Sequence, residues 1–415
     1  MRQPVSKRYL AWIAALLGTQ LLAGTAVAQT GQPLVQQSDI TYVGAFALPN
    51  WDNGAKYGSS FFEYGGHALT FFKDSSGRRT LYMEGHAQYP GNIGQVEIPA
   101  SLGTGGSLPM AKVLQNFVNV GSFPDSGSCA TNPSFVYGML GYGGRLIIAN
   151  ACSYGGSQTT SHGVGSLTLA QLGFKGWYGF SGAKAVPRAL AGPMTLIPPD
   201  WQSAFGGPAF TGNCCISVTS STSAGPSLTV FNPADVGVTN PIPGKTVLFY
   251  PLSNPVCGSA NCEQKQSSVY NLTTVYGGAA FPSGTRSVLF VMATGTGPYC
   301  YGSASDCGND SALSDVKGPH AQPYRYQILA YDANDLVAVK NGSKQTYDPK
   351  PYGTFVLEGM AYSRDDKIRG AAFDQETGRL YIAQSYNEDP RIEVYQIGKP
   401  ANVVRPGAPV VTDVK

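Results

Sequence analysis

The sequence contains only four histidines, and they are its first candidates for acid–base chemistry: His67, His86, His162 and His320. An imidazole exchanges a proton near neutral pH and also coordinates divalent metals. No His-x-His or His-Glu-x-x-His motif places two of these residues side by side on one element. They can therefore act together only if the fold brings them together from distant parts of the chain.

One polar loop, residues 151–162, combines Tyr154, Gln158 and His162. We predict that His162 and Tyr154 form a proton-transfer pair, and that His86 and His320 neutralise charge or position a ligand. The alternative is a solvated polar loop without a catalytic role. All four histidines, including His67, are also the candidate ligands of a divalent metal, calcium or zinc, and no other cofactor is expected.

The elements that must position these residues are short β-strands arranged in a recurring unit. Each unit has a start of small residues, a strand, a glycine-containing turn and a second, more apolar strand. Copies begin at Gly65, Val136, Gly277 and Gly370, and a less regular copy lies between Gly206 and Val230. This spacing predicts an all-β fold, a β-propeller with five blades, with six or seven blades as alternatives. A β-sandwich would not explain the spacing.

The two ends of the repeat region complement each other. The last unit stops after its third strand, near Ile397, whereas a lone strand at 40–48 precedes the first unit. We predict that this N-terminal strand completes the last blade and closes the ring. The strands expected to end individual units lie at 94–98, 166–169, 326–331 and 392–397.

The position of a residue within the unit predicts the face on which it lies. The loops that lead into the inner strand and those that join the second strand to the third emerge on one face of a propeller. All four histidines fall in such positions, so we expect them on one face around a central cavity. The insertion at 295–322 is predicted to be a lid or a specificity wall over that cavity. In the alternative of a propeller that only binds a glycan, Tyr299, Tyr301 and Trp201 are predicted to form an aromatic rim.

The N-terminal residues have the pattern of a secretory signal peptide. Arg2, Lys7 and Arg8 precede an apolar run, and the small residues before Ala28 predict cleavage after it. A membrane anchor is the alternative reading, but the apolar run is short for a spanning helix. We expect a signal peptide at 1–28, a linker at 29–39, one propeller domain at 40–398 and a tail at 399–415. The protein is thus predicted to be secreted or periplasmic.

The charge of the mature chain excludes some partners. Cleavage removes three basic and no acidic residues, which takes the formal net charge from +3 to zero. This leaves no basic excess for nucleic acid or anionic lipid, and no further long apolar run predicts a membrane span. Charged residues make up 13% of the chain, about half the usual share. We expect a monomer whose partner is a polysaccharide or another hydroxyl-rich ligand.

Eight cysteines, an even number in an exported chain, predict disulfide bonds. The expected pairs are Cys257 with Cys262, Cys300 with Cys307, and Cys129 with Cys152. The remaining Cys214 and Cys215 are adjacent and would form a strained vicinal bridge, which suggests a role at a ligand site. A zinc site is the alternative, although no Cys-x-x-Cys spacing supports it.

Three stretches resemble segments of exported bacterial proteins without an assigned activity: 161–162, 212–216 and 331–336. The blade count resembles that of five-bladed propeller glycosidases, which implies carboxylates on the inner strands. The units at 136, 277 and 370 have no carboxylate at their starts, and only Glu63 and Glu84 lie near such a position. In fold and residue type the chain also resembles propeller-fold polysaccharide lyases, which implies proton transfer by histidine and tyrosine.

The sequence therefore favours an exported polysaccharide lyase that acts on a uronate-containing glycan. A propeller that binds a glycan or cell-surface polymer without catalysis is the first alternative. A metal-dependent lactonase or ester hydrolase that uses the histidines as ligands is the second.

Overall fold

The computed structural model describes residues 31–50, 57–121, 134–152, 158–183, 189–214, 222–258, 267–303, 305–308, 318–360, 368–385 and 388–398. Tyr154, Cys129, Cys215 and Cys262 lie outside these residues, as do the predicted signal peptide and C-terminal tail. No helix in the described part of the chain has the length and apolar character needed to cross a membrane.

The described chain forms 23 strands and two short α-helices. Strand β1 (Ile40–Ala47) precedes blade 1, which contains β2 (Leu69–Lys73), β3 (Arg79–Glu84), β4 (Asn92–Glu97) and β5 (Lys112–Asn119). Blade 2 contains β6 (Ser134–Tyr142), β7 (Arg145–Cys152), β8 (His162–Ser166) and β9 (Lys175–Tyr178). Blade 3 contains β10 (Phe180–Ser181), β11 (Met194–Leu196), β12 (Ala209–Gly212), β13 (Leu228–Phe231) and β14 (Ile242–Leu248), with α1 (Pro199–Phe205) between β11 and β12.

The remaining strands form blade 4, a separate ribbon and blade 5. Blade 4 contains β15 (Val275–Ala280), β16 (Ser287–Gly295), β19 (Tyr324–Asp332) and β20 (Gly353–Val356), with α2 (Ala333–Lys340) after β19. The ribbon, β17 (Cys300–Gly302) and β18 (Gly318–His320), is inserted between β16 and β19. Blade 5 contains β21 (Ala371–Asp374), β22 (Arg379–Gln384) and β23 (Arg391–Ile397), to which β1 is added.

These sheets form a five-bladed β-propeller. The inner strands β2, β6, β11, β15 and β21 contact one another in cyclic order, so the fifth blade returns to the first. Strand β1 pairs antiparallel with β23 as the outer strand of blade 5, with Ile40 opposite Ile397. The predicted fold class, blade number and closure by the N-terminal strand are confirmed.

Three details of the predicted repeat were wrong. In blades 1, 2 and 4 the strand expected to end the unit is the third strand, and β5, β9 and β20 follow as the outer strands. The third unit does not begin near Gly206, because the inner strand β11 begins at Met194 and Gly206 ends α1 in a left-handed conformation. A helix inserted after the inner strand thus shifted the apparent start. The strand expected at 166–169 ends at Ser166, and a 3₁₀ turn follows at Leu169–Gln171.

The apolar core lies between neighbouring blades. Between blades 2 and 3, for example, Leu140 and Ile147 pack with Met194 and Phe231. Each blade therefore buries both faces of its sheet, and each fully buried large side chain contributes about 1.5–3 kcal/mol. The blades stabilise one another, so we expect them to unfold together.

The inner strands approach one another backbone to backbone at glycines, which we call the glycine collar: Gly138, Gly192, Gly277, Gly278 and Gly370. A Cβ atom on Gly138 would lie 1.9 Å from the carbonyl oxygen of Gly192, and one on Gly278 would lie 2.6 Å from that of Ala371. The Gly370 amide donates a hydrogen bond of 2.6 Å to the Gly66 carbonyl. No side chain fits at these contacts. Glycine is therefore required because a Cβ atom would collide with the neighbouring backbone, and not because a turn needs its conformational freedom.

The segment before β1, predicted as a linker, packs against the blades. Val35 is buried, and its backbone amide donates to Ser287 Oγ over 2.8 Å. Trp201 is completely buried, and its Nε1 donates to Gln32 Oε1 over 2.9 Å. The prediction that Trp201 forms part of an exposed aromatic rim is therefore wrong.

Replacement of Gly138 by alanine tests the glycine collar. Because the added Cβ would collide with the Gly192 carbonyl, we expect a loss of about 2–4 kcal/mol in the free energy of unfolding, or no folding. Gly105→Ala is the matched control, since its Cβ would meet nothing within 4 Å. Urea denaturation of both variants measures the difference, and equal stability would show that the strands have room to separate.

Candidate functional site

The face of the propeller where the inner strands begin carries a compact group of side chains from blades 1 and 2. We call it the mouth cluster: His67, Glu84, Phe135 and Tyr137. His67 lies two residues before the start of β2, Glu84 is the last residue of β3, and the two aromatic residues lie in the first half of β6. The cluster therefore lies at the upper end of the ring of inner strands.

Local backbone structure holds His67 beside Glu84. Leu69 pairs with Met83 in the β2–β3 hairpin, which brings the start of β2 next to the end of β3. The Gly66 amide donates to the Glu84 carbonyl over 2.9 Å, and Gly66 has a φ of 79°, which glycine adopts without strain. The turn that leads into the inner strand is thus fixed one residue before His67.

The side chains of His67 and Glu84 form a dyad in which Glu84 is buried and His67 is partly exposed. His67 Nδ1 lies 2.8 Å from Glu84 Oε2, and the side chains are 13% and 0% exposed. Glu84 Oε1 accepts a 3.0 Å hydrogen bond from the Val136 amide of blade 2. A buried carboxylate needs such partners, and here both oxygens have one.

The dyad sets the chemistry of the imidazole. An ionised Glu84 can only accept a hydrogen bond from His67, and in that state the proton of the contact lies on Nδ1. A histidine oriented in this way can act as a general base.

Two aromatic rings lie against the histidine. The His67 ring is 5.1 Å from that of Phe135 and 5.7 Å from that of Tyr137, centre to centre. Tyr137 packs in turn against Ala151, Ala191 and Cys214, so the cluster reaches blade 3. Cys214 is buried and disulfide-bonded, and its predicted partner Cys215 lies outside the described residues.

Glu63 is a second carboxyl group in the segment before β2. It is 5% exposed, and its burial raises the pKa of the carboxyl above the ordinary range. The segment runs along the turn after β3, since the His86 amide donates to the Phe61 carbonyl and the Ala87 amide to that of Tyr64. Glu63 therefore belongs to the same face and retains its proton more readily than an exposed glutamate.

His86 lies in a different environment from His67. Its ring contacts those of Phe61, Tyr64 and Tyr89 at 5.5–5.9 Å, and its Nδ1 accepts from the Gln88 amide over 3.0 Å. Burial lowers its pKa below the ordinary value for histidine. The predicted charge-neutralising role is disfavoured, because His86 is then neutral at neutral pH.

His162 is a core residue. It is completely buried, and its ring packs edge-on against Phe180 and Phe231. The Thr211 hydroxyl donates to the Leu190 carbonyl, so His162 Nε2 donates to Thr211 Oγ1 over 3.1 Å and Nδ1 accepts from Ser161 Oγ over 2.9 Å. A neutral imidazole satisfies both partners, and burial lowers the pKa of His162 to about 3.

This placement does not support the predicted proton transfer by His162 and Tyr154. An imidazole without solvent contact, neutral over the physiological pH range, is suited to structure and not to exchange of protons with a ligand. Tyr154 lies outside the described residues. Sequence position placed His162 just before the third strand of its unit, whereas it is the first residue of β8, and its burial was not predicted.

His320 and the ribbon form a third environment. His320 is 1% exposed, lies opposite Cys300 in the ribbon, and its Nε2 is 3.2 Å from the Gly302 carbonyl. The predicted disulfide between Cys300 and Cys307 is confirmed. Cys152 and Cys257 are disulfide-bonded too, and their predicted partners, Cys129 and Cys262, lie outside the described residues. Tyr301 is 59% exposed, so the ribbon presents an aromatic side chain to solvent.

The structure does not assemble the four histidines into one site. Each histidine contacts a different set of residues. Among the residues that the structure describes, no group of three or more histidine, cysteine, aspartate or glutamate side chains is arranged to hold a metal ion. The four histidines considered as candidate metal ligands therefore lie in separate environments, and only His67 belongs to the mouth cluster.

Comparison with known proteins gives distant structural likenesses. No family model and no curated protein matches the chain. A glycosyl hydrolase from Bacteroides ovatus aligns over 87% of this chain and 95% of its own, with 10% identity and a TM-score of 0.41. The GH43_1 enzyme from Xanthomonas citri, in complex with xylose, aligns over 82% of this chain and 88% of its own, with 11% identity and a TM-score of 0.40. A mannose phosphorylase from Leishmania mexicana aligns over 88% of this chain and 89% of its own, with 9% identity and a TM-score of 0.37. These values assign the chain to no family.

The core position of His162 predicts a specific dependence of stability on pH. The unfolded state binds a proton at the ordinary histidine pKa of about 6.5, whereas folded His162 stays neutral down to about pH 3. Between these values the unfolded state holds more protons, so the free energy of unfolding falls as the pH is lowered. We expect this effect of His162 to lower the free energy of unfolding by an amount on the order of several kcal/mol as the pH falls through this range.

The variant His162→Gln separates this effect from other titrations. It removes the titratable group, so its melting temperature, although lower at pH 7, is expected to fall less between pH 7 and pH 4 than that of the wild type. Thermal melts monitored by circular dichroism measure both slopes. Parallel slopes would show that His162 is not held neutral in the folded protein.

Proposed function

We propose that the protein is an exported enzyme that acts on carbohydrate, with the mouth cluster as its active site. The observation that supports this most is the buried Glu84 carboxylate, which orients His67 beside Tyr137 at the upper end of the inner strands. Disulfide bonds support work in an oxidising compartment.

The reaction class that best fits a histidine next to a tyrosine is β-elimination from a uronate. His67 Nε2 takes the proton from C5 of the sugar, and the resulting imidazolium is stabilised by Glu84. The electron pair of the C–H bond forms the C4–C5 double bond as the glycosidic C4–O bond breaks, and the Tyr137 hydroxyl donates its proton to the leaving oxygen. No co-reactant is required, and proton return from His67 to Tyr137 restores the enzyme.

The surroundings of the dyad fit a sugar ring. The ring centres of Phe135 and Tyr137 lie 5.8 Å apart. The two rings offer apolar faces for the C–H groups of a pyranose. The low proportion of charged residues, 13% of the chain, fits recognition by hydroxyl and amide groups.

Glycoside hydrolysis is the second candidate, and Glu63 is the residue that favours it. A carboxyl group whose pKa is raised by burial holds its proton to a higher pH than an exposed glutamate, as a general acid requires. Hydrolysis also requires a second carboxylate as base or nucleophile, and Glu84 is already bound to His67 and Val136. The products distinguish the two reactions, since only elimination creates a conjugated double bond.

An activity screen of the wild type against uronate-containing polysaccharides, with ultraviolet absorbance and reducing-end assays in parallel, tests the proposal. We expect ultraviolet absorbance to appear, and the variants His67→Asn and Tyr137→Phe to reduce kcat by about 10²- to 10⁴-fold because proton transfer is lost. Glu84→Gln should reduce it less, since the imidazole keeps a hydrogen-bond partner.

His86→Asn is the control, because the asparagine oxygen can accept the Gln88 amide in place of Nδ1, and its kcat should stay within about twofold of the wild type. The other outcome is an activity that releases reducing ends without ultraviolet absorbance, is lost in Glu63→Gln and is retained in His67→Asn. That outcome would show that the reaction is hydrolysis and not elimination. Binding of polysaccharide without any turnover would identify a binding module and contradict the proposed enzyme.

A further inference from the structure

The lower end of the ring of inner strands contains a cavity of about 270 Å³. Residues from four inner strands line it: β2, β6, β11 and β21. These strands run away from the mouth cluster, so the cavity lies on the opposite face, where they end. It is separate in position and in residues from the proposed active site.

The walls combine apolar surface with two buried hydroxyl groups. Phe71, Phe373 and Leu140 are among the apolar residues of the lining, and Thr70 of β2 and Thr195 of β11 are its two threonines. The two threonines are only 4% and 6% exposed. Buried hydroxyls that face a cavity between strands can bind a polar ligand from two sides.

The charged residues that line the cavity are Lys73, Asp374 and Glu376, and each is paired, either within this set or with Arg79 outside the lining. Lys73 Nζ lies 3.0 and 2.8 Å from the two oxygens of Glu376, and this hydrogen bond lowers the pKa of the Glu376 carboxyl. Asp374 forms an ion pair with Arg79, whose other terminal nitrogen lies 3.4 Å from Glu376. The wall therefore has no excess charge that would select an anion or a cation.

The size of the cavity limits its occupant. Sites for small molecules usually measure about 300–1,000 Å³, and this cavity lies just below that range. A ligand with apolar ring faces and peripheral hydroxyls would match the aromatic walls and the two threonines. One sugar ring has this size and this distribution of groups.

We propose that this cavity, the base site, binds a single neutral pyranose. The base site is independent of the proposed activity, because none of its residues belongs to the mouth cluster. A protein that binds a sugar at its base and a polymer at its mouth can respond to free sugar without blocking the active site.

Saturation-transfer NMR and calorimetry with the purified mature protein test the base site. The ligands are glucose, mannose, galactose and xylose, with glucuronate as the charged comparison. We expect at least one neutral sugar to bind and glucuronate to bind more weakly. The double variant Thr70→Val and Thr195→Val keeps the side-chain volumes and should weaken binding about tenfold or more, because two hydrogen bonds are lost.

Two controls locate the binding. Thr354→Val makes the same change at an exposed position of β20 and should not alter affinity. His67→Asn should also bind the sugar normally, so a protein without polysaccharide activity can still confirm the base site. No binding of any neutral sugar at about 50 mM, tighter binding of glucuronate, or affinity that depends on His67 and not on the threonines would each overturn the proposal.

Discussion

The close backbone approach of neighbouring blades at Gly138, Gly278 and Gly370 is the constraint on which the rest of the structure depends. At Gly138 and Gly278, a single methyl group would force neighbouring blades apart. The same close approach includes Gly66, because its carbonyl accepts from the Gly370 amide and a Cβ atom on it would lie 2.3 Å from Ser385 Oγ of blade 5. Since His67 is the next residue, the contact between blades 5 and 1 also fixes the backbone from which the proposed base projects.

Burial and hydrogen-bond partners give two histidines of one face opposite roles. His67 has a carboxylate partner and a partly exposed ring, so it can exchange a proton with a ligand. His162 has hydroxyl partners and aromatic neighbours and no exposed surface, so its neutral form is favoured. Residue type alone does not separate a base from a core residue, whereas the environment does.

The fold could be predicted because strand patterns and their spacing are local properties of the sequence. The closing strand β1 followed from counting strands at the two ends, while the start of blade 3 was misplaced because α1 interrupts the local pattern. The site was only partly predictable. Glu84 was recognised as a carboxylate near an inner strand, and its pairing with His67 could have been found from the hairpin that joins Leu69 to Met83. The burial of His162 depends on Phe180 and Phe231, which are distant in sequence, and no local signal revealed it.

The most direct measurement uses the fact that the chain has only four histidines. Nitrogen-15 labelling of the imidazoles, with assignment by single substitution, gives a separate spectrum for each residue during titration with a uronate oligosaccharide. We expect His67 to show the tautomer with the proton on Nδ1 and to shift on binding, while His162 stays unchanged and neutral. Binding of the oligosaccharide that shifts other histidines and leaves His67 unchanged would contradict a substrate site at the mouth cluster.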